Sequence, residues 1–252
     1  GEMKKGLVSV GVAVGAVVVT CLPVCVPGSG TDYRAELYNL VGSGLEVRGR
    51  REMAIEYYLK AIRKDPECYA AYSNLGNIHL QHNRYDMALA YFGKALSIRP
   101  DHDGVLLNTG IASAQKGDEA GALEMLEKAV VIDPWNVRAC VSLGAFYVQR
   151  GKYEKGIRWL NRAVDLEPRN AFAMQNLAGA YYLVKDYKQA VNTGRRAIKL
   201  QSLNASAHNN LGMALIALDY RDEGLKHIRK AAELNPRYRK SLHSLRRKAE
   251  TH

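Results

Sequence analysis

The sequence lacks the motifs that most enzyme classes require. Its 252 residues contain no phosphate-cradling glycine loop, no His-Glu-x-x-His and no paired Cys-x-x-Cys. Those absences remove the common routes to nucleotide binding, zinc hydrolysis and dithiol redox chemistry. The carboxylates are scattered, with no pair set apart in apolar surroundings where one would be held protonated for general acid catalysis. No catalytic residue, no metal and no cofactor is expected. Cysteine is also scarce, with Cys21 and Cys25 near the N-terminus and only Cys68 and Cys140 in the remainder. Proline is rarer than in an average chain, with seven in all, and five of the seven recur at one position of a repeating pattern.

That pattern is what the sequence has in abundance. Six copies of a 34-residue unit run from Ala35 to Tyr238 without insertion or deletion, over residues 35–68, 69–102, 103–136, 137–170, 171–204 and 205–238. Position 8 is Gly42, Gly76, Gly110, Gly144, Ala178 and Gly212; position 20 is Ala54, Ala88, Ala122, Gly156, Ala190 and Gly224; position 27 is alanine throughout. Small residues at these places let the two helices of a hairpin approach closely. Bulky residues at position 24, from Tyr58 and Phe92 to Ile228, fill the space between in five units, and proline at position 32 ends the same five. A helix pair of this kind buries its apolar face only by stacking on neighbours, so an all-α solenoid is expected. Cys68 and Cys140 fall about two units apart, too far for a disulfide in rigid stacked hairpins.

The unit resembles the tetratricopeptide repeat (TPR), whose period is 34 residues. The resemblance implies a right-handed solenoid of six helix-turn-helix repeats, closed by a basic C-terminal capping helix over residues 239–252. It also implies a non-enzymatic protein-interaction scaffold whose first helices line a concave groove. The residues placed there are Ser73, Asn74, Asn77, Gln81, Asn108, Gln115, Gln149, Gln175, Asn176, Asn209 and Asn210. A carboxamide offers both a donor and an acceptor, which suits a peptide backbone. Asparagines one repeat apart resemble the asparagine ladder of O-linked glucosaminyltransferase TPR domains, with Leu40 and Ser142 breaking the series. The alternative is that these asparagines cap or bridge neighbouring helices. Groove positions 5 and 6 carry no charge, unlike TPR domains that grip chaperone C-terminal carboxylates.

Departures from the pattern concentrate in the fifth unit, with Ala178, Gly194 and Ser202. Gly194 replaces a large core side chain and forgoes about 2–4 kcal/mol of packing unless a neighbour fills the gap; Phe172, Tyr181 and Tyr187 are at hand to do so. The alternative is a hinge, or a slot for a partner's side chain. His79 and His82 share one helix face, but His79 falls at a packing position and reads as a satisfied structural histidine. Asp101-His102-Asp103-Gly104 lacks most ligands of a calcium loop and reads as a turn and helix cap.

The N-terminus is of different material. Lys4 and Lys5 precede an apolar run over residues 7–26, long enough to span a bilayer. Residues 1–26 are therefore expected to be a signal peptide or membrane anchor, with Cys21 and Cys25 as candidate lipidation sites, and residues 27–34 a linker. This layout is similar to TPR lipoproteins of pilus assembly and outer-membrane secretion. It implies a membrane-attached adaptor in a bacterial cell envelope, facing the extracytoplasmic side and binding a protein or peptide partner. A self-assembling coat or filament, similar to TPR scaffolds on magnetosomes, is the second expectation. The chain carries a formal charge of +11, and its last sixteen residues hold six cations against Glu250. Nucleic-acid or anionic-lipid binding through that basic end is the third. The basic residue at position 26 of every unit, Lys60 to Lys230, reads as a solvated helix face.

Overall fold

A computed structural model describes residues 33–239. The expected anchor with Cys21 and Cys25, and all of the expected capping helix beyond Arg239, lie outside the described residues. Twelve α-helices follow one another in hairpin pairs, with no strand among the described residues. The described chain divides into two compact units that meet in sequence at Pro66 and Glu67.

The first unit is one hairpin, α1 (Tyr33–Val47) and α2 (Arg51–Lys64). Tyr58 on α2 is fully buried, and its ring occupies the place where any side chain at Gly42 of α1 would stand. The Tyr58 hydroxyl donates to Glu46 at 2.8 Å, which satisfies the polar end of an otherwise apolar anchor. Tyr38 and Tyr57 meet edge to face at 6.0 Å. Gly49 turns the chain between the helices with φ 73°.

The second unit comprises α3 (Tyr69–Gln81) and α4 (Tyr85–Ile98), α5 (Asp103–Lys116) and α6 (Glu119–Ile132), α7 (Val137–Gln149) and α8 (Tyr153–Leu166), α9 (Ala171–Leu183) and α10 (Tyr187–Leu200), and α11 (Ala205–Ala217) and α12 (Arg221–Leu234), followed by a 3-10 turn at Pro236–Tyr238. In four of these five hairpins a bulky residue of the second helix sits on a glycine of the first: Phe92 on Gly76, Leu126 on Gly110, Leu160 on Gly144 and Ile228 on Gly212. The turn inside each hairpin passes through a residue with positive φ, namely Asn83, Gly117, Gly151, Lys185 and Asp219. The side chains of Asn136, Asn170 and Asn204 accept from the backbone N–H three residues on and so cap α7, α9 and α11. His102 caps α5 in the same way through Nδ1, as the sequence predicts for that turn.

Within this unit the hairpins stack in order: α4 packs on α5, α6 on α7, α8 on α9 and α10 on α11, and the first helices α3, α5, α7, α9 and α11 also pack on one another. The second helices make no comparable approach to each other. Spacing that is close on one side and open on the other curves this unit, with the first helices on its concave face. One core cluster lies across α5–α9, reaching Ala197 and Ala207; Leu211, Leu215, Ala214, Ala190 and Val191 form a smaller one.

The fifth hairpin departs from the expected repacking. Phe172 is exposed, Tyr181 is engaged with Asn161, and Tyr187 lies against Tyr182. The atoms facing Gly194 belong instead to Leu211, 3.2 Å from where a Cβ would stand. The small pair Ala178 and Gly194 thus admits the next hairpin's leucine, which is fully buried there.

Candidate interaction groove

The concave face carries the amide-bearing positions because they recur on first helices, which converge there. Ser73, Asn74, Asn77 and Gln81 stand on α3, Asn108 and Gln115 on α5, Gln149 on α7, Gln175 and Asn176 on α9, and Asn209 and Asn210 on α11. The structure brings several of them together across repeats. Asn108 donates to the Asn77 carboxamide oxygen at 2.8 Å and accepts from Arg138 at 3.4 Å. Asn210 donates to the Gln175 backbone carbonyl at 3.1 Å, while Asn176 turns back to the Phe172 carbonyl at 2.8 Å. The Nδ2 donors of Asn108, Asn176 and Asn210 are therefore engaged inside the protein and brace one repeat against the next or one turn against another. One donor of each carboxamide is spent in this bridging, and the second N–H of each remains. The Asn209 carboxamide oxygen is buried without a hydrogen-bond partner.

Gln81, Gln115 and Gln149, by contrast, are exposed at the ends of their helices. Gln115 and Gln149 line a hollow of about 230 Å³ with Ser142, Ile111, Phe146 and Phe172. Phe172 is 59% exposed, an unusual state for a phenylalanine. It presents an apolar ring beside two carboxamides, a combination that can hold one side chain while hydrogen-bonding the backbone that carries it. Phe172 stands at the second position of its repeat and Arg138 at the same position of the preceding one, and neither is among the carboxamides that the sequence places in the groove.

The histidines take structural places. His79 stacks on Tyr91 with ring centroids 5.3 Å apart, but its Nδ1 is buried without a partner, so it is not fully satisfied. Burial, helped by Arg84 and His82, lowers its pKa. His82 Nδ1 lies 2.7 Å from the Ile78 carbonyl. His208 and His227 face each other with Nδ1 atoms 2.9 Å apart. His208 Nε2 lies 3.0 Å from the Ser202 carbonyl, which fixes its proton on Nε2 and leaves Nδ1 to accept from His227. Burial, then the neighbouring His208, lowers the His227 pKa. No group of three or more histidine, cysteine or carboxylate side chains suited to a metal occurs among the described residues. Cys68 and Cys140 are buried. No described helix is long and apolar enough to cross a membrane.

A curved stack of helical hairpins with a polar, partly apolar concave face defines a repeat scaffold for protein partners. The chain belongs to the tetratricopeptide repeat family: TPR family models match residues 35–68, 69–102, 113–181 and 205–238. These matches leave out residues 182–204, the stretch that holds Gly194 and Ser202. No curated protein sequence matches the chain. Among solved structures it is similar to the Cut9–Hcn1 hetero-tetramer of the APC/C, at 18% identity and a TM-score of 0.73, over 81% of this chain and 40% of that one. The chain thus spans well under half of that relative. It is also similar to PilF of Pseudomonas aeruginosa, at 20% identity and TM-score 0.72, over 82% of this chain and 95% of that one. A third is YrrB, a TPR protein with an unusual peptide-binding site, at 23% identity and TM-score 0.58, over 75% and 97%. At these identities the likeness is one of fold.

Proposed function

We propose that this chain is a non-enzymatic adaptor that holds an extended peptide or protein segment in its concave groove. The observation that carries the reading is the hollow between α5, α7 and α9, where Gln115, Gln149 and Ser142 surround the exposed ring of Phe172. Peptide binding of this kind draws on backbone hydrogen bonds for affinity and one apolar pocket for register. The apolar run over residues 7–26 in the sequence supports the further proposal that the adaptor is attached to a membrane. On that reading it faces the extracytoplasmic side of a bacterial envelope and assembles a partner into an envelope complex or appendage.

The groove reading is tested by selecting displayed random peptides on the full chain and measuring their affinity calorimetrically. The expected result is peptides that bind in the micromolar range and weaken by about tenfold or more when Gln115, Gln149 and Phe172 are all changed to alanine. All three are exposed or line open space, so the variant keeps its fold. Selected peptides that bind the variant as well as the parent sink the reading.

A further inference from the structure

A second hollow lies on the opposite side of the stack, where the second helices α6 and α8 stand apart. It is an open furrow of about 780 Å³. The chain has two tryptophans, and both of them, Trp135 and Trp159, line this furrow together with Tyr147. Trp135 is 74% exposed in the turn between α6 and α7. That turn is fixed rather than loose. Arg162 donates to the Pro134 carbonyl from Nε at 3.2 Å and from Nη2 at 2.8 Å, and the Trp135 backbone N–H donates to Asp133 at 2.9 Å.

The polar groups around the indoles are unevenly committed. Glu127 accepts from the Tyr147 hydroxyl at 2.6 Å, so this carboxylate is already engaged. Lys155 stands 5.5 Å from the Tyr147 ring centre, and neither it nor Arg158 is among the described ion pairs. On other second helices Lys60, Lys128 and Lys230 pair with Glu56, Glu124 and Glu233, while Lys94, Lys188, Lys199 and Lys226, like Lys155, are in no described ion pair. The lining holds Lys155, Arg158 and Arg162 against Glu127 and Asp165, an excess of one positive charge, and with Lys155 and Arg158 outside the described ion pairs beside three aromatic rings it suits an anion attached to an apolar group. Asn161 meets Tyr181 only at 3.4 Å and keeps hydrogen-bonding capacity for a ligand backbone. Past Asn161 and Asp165 the furrow continues into a hollow of about 340 Å³ lined by Gln189, Asn192 and Thr193. The path is therefore elongated.

We infer that this furrow is a second binding site, for an acidic peptide segment bearing an aromatic or aliphatic side chain. That side chain inserts between Trp135 and Trp159, and its flanking carboxylates meet Lys155 and Arg158. The site is independent of the concave groove and shares no residue with it.

Because both tryptophans line the furrow, emission excited at the indole band reports on it alone. The full chain is titrated with the blocked peptide Glu-Phe-Asp-Leu-Glu. Parallel titrations use the charge-swapped peptide Lys-Phe-Lys-Leu-Lys and an oligothymidylate. The expected result is a saturable tryptophan shift with the acidic peptide, at a midpoint on the order of 10–100 μM. The double variant Lys155→Ala, Arg158→Ala is expected to weaken it by about tenfold. The variant Gln115→Ala, Gln149→Ala is expected to leave it unchanged, so failure here and failure of the groove reading are distinguishable. Both cations are exposed, and an unchanged thermal melt confirms that the variant is folded. No saturable shift, an equal shift with the basic peptide, a shift with the oligothymidylate alone, or a shift undiminished in the double variant each overturns the inference.

Discussion

Gly212 and Gly93 are both inside helices, yet their surroundings oppose each other. A Cβ at Gly212 would stand 2.6 Å from Ile228 Cγ1 and 2.7 Å from the Gly224 carbonyl oxygen, whereas a Cβ at Gly93 would meet nothing within 4 Å. Gly212→Ala is therefore expected to destabilise by about 1–3 kcal/mol, and Gly93→Ala to stabilise by about 0.5–1 kcal/mol through backbone entropy. Urea titrations of the two variants give shifts of opposite sign if this is right. The histidines set a pH dependence at the same scale. His79, His102 and His227 all have pKa values lowered, first by burial, from the usual value near 6.5. Below about 6.5 the unfolded chain binds protons that the folded chain resists, so stability falls as pH drops from 7 towards 5. His79→Leu, which copies Leu45 and Leu215 at the equivalent position, is expected to flatten that fall, read as urea midpoints at pH 7 and 5.5. Residue types showed where the close helix contacts lie, since each needs a small side chain. They did not show that Leu211 closes the gap at Gly194, because that leucine comes from the next hairpin and its reach depends on how the hairpins stack.

At the scale of the element, the repeats differ most at their turns and helix starts. The in-hairpin turn has positive φ in every copy, and Gly49, Asn83, Gly117 and Gly151 suit that backbone while Lys185 does not. Lys185→Gly is expected to stabilise by about 1 kcal/mol by removing the Cβ clash of a left-handed residue, seen as a higher melting temperature. One residue further on, Asp118 and Asp186 accept from the backbone N–H at the starts of α6 and α10. Lys152, at the same place before α8, makes no such bond. Lys152→Asp is expected to add about 0.5–1 kcal/mol through the cap and its charge at the helix N-terminus, and Asp118→Ala to remove about 1 kcal/mol. Hairpin succession and helix ends were legible in the sequence because proline, glycine and small-residue spacing encode them locally. The groove was legible only in part. Gln115 and Gln149 do line the hollow beside Phe172, but whether a carboxamide faces the groove or bridges to the next helix is set by inter-helix distance. No single repeat records that distance, and Asn108 and Asn210 each spend one Nδ2 donor across repeats.

Over residues 67–239 the stack distributes its core unevenly, and this has a consequence for how it opens. The large cluster across α5–α9 is continuous through three hairpins, and Leu107, Leu126, Leu143, Leu160 and Met174 are fully buried in it. Around α10 and α11 a smaller cluster forms, in which Leu211 packs against Gly194, and Ala197 and Ala207 join these helices to the large one. The turn before α11 carries Ser202 where other repeats have proline, and His208 braces it through the Ser202 carbonyl. In a linear array each hairpin draws its stability from its own fold and its nearest interfaces, so the hairpin with the smaller apolar core is the first to open cooperatively. Amides of α11 and α12 are therefore expected to exchange with solvent faster than those of α5 to α9 under native conditions. Leu211→Ala, costing about 2–5 kcal/mol locally, should widen the difference without changing protection in α5 and α6. Hydrogen exchange read by mass spectrometry on the full chain resolves these segments. Uniform acceleration across α3 to α12 in that variant would show instead that the stack opens as one unit, and that the smaller core of α11 and α12 does not set the order of opening.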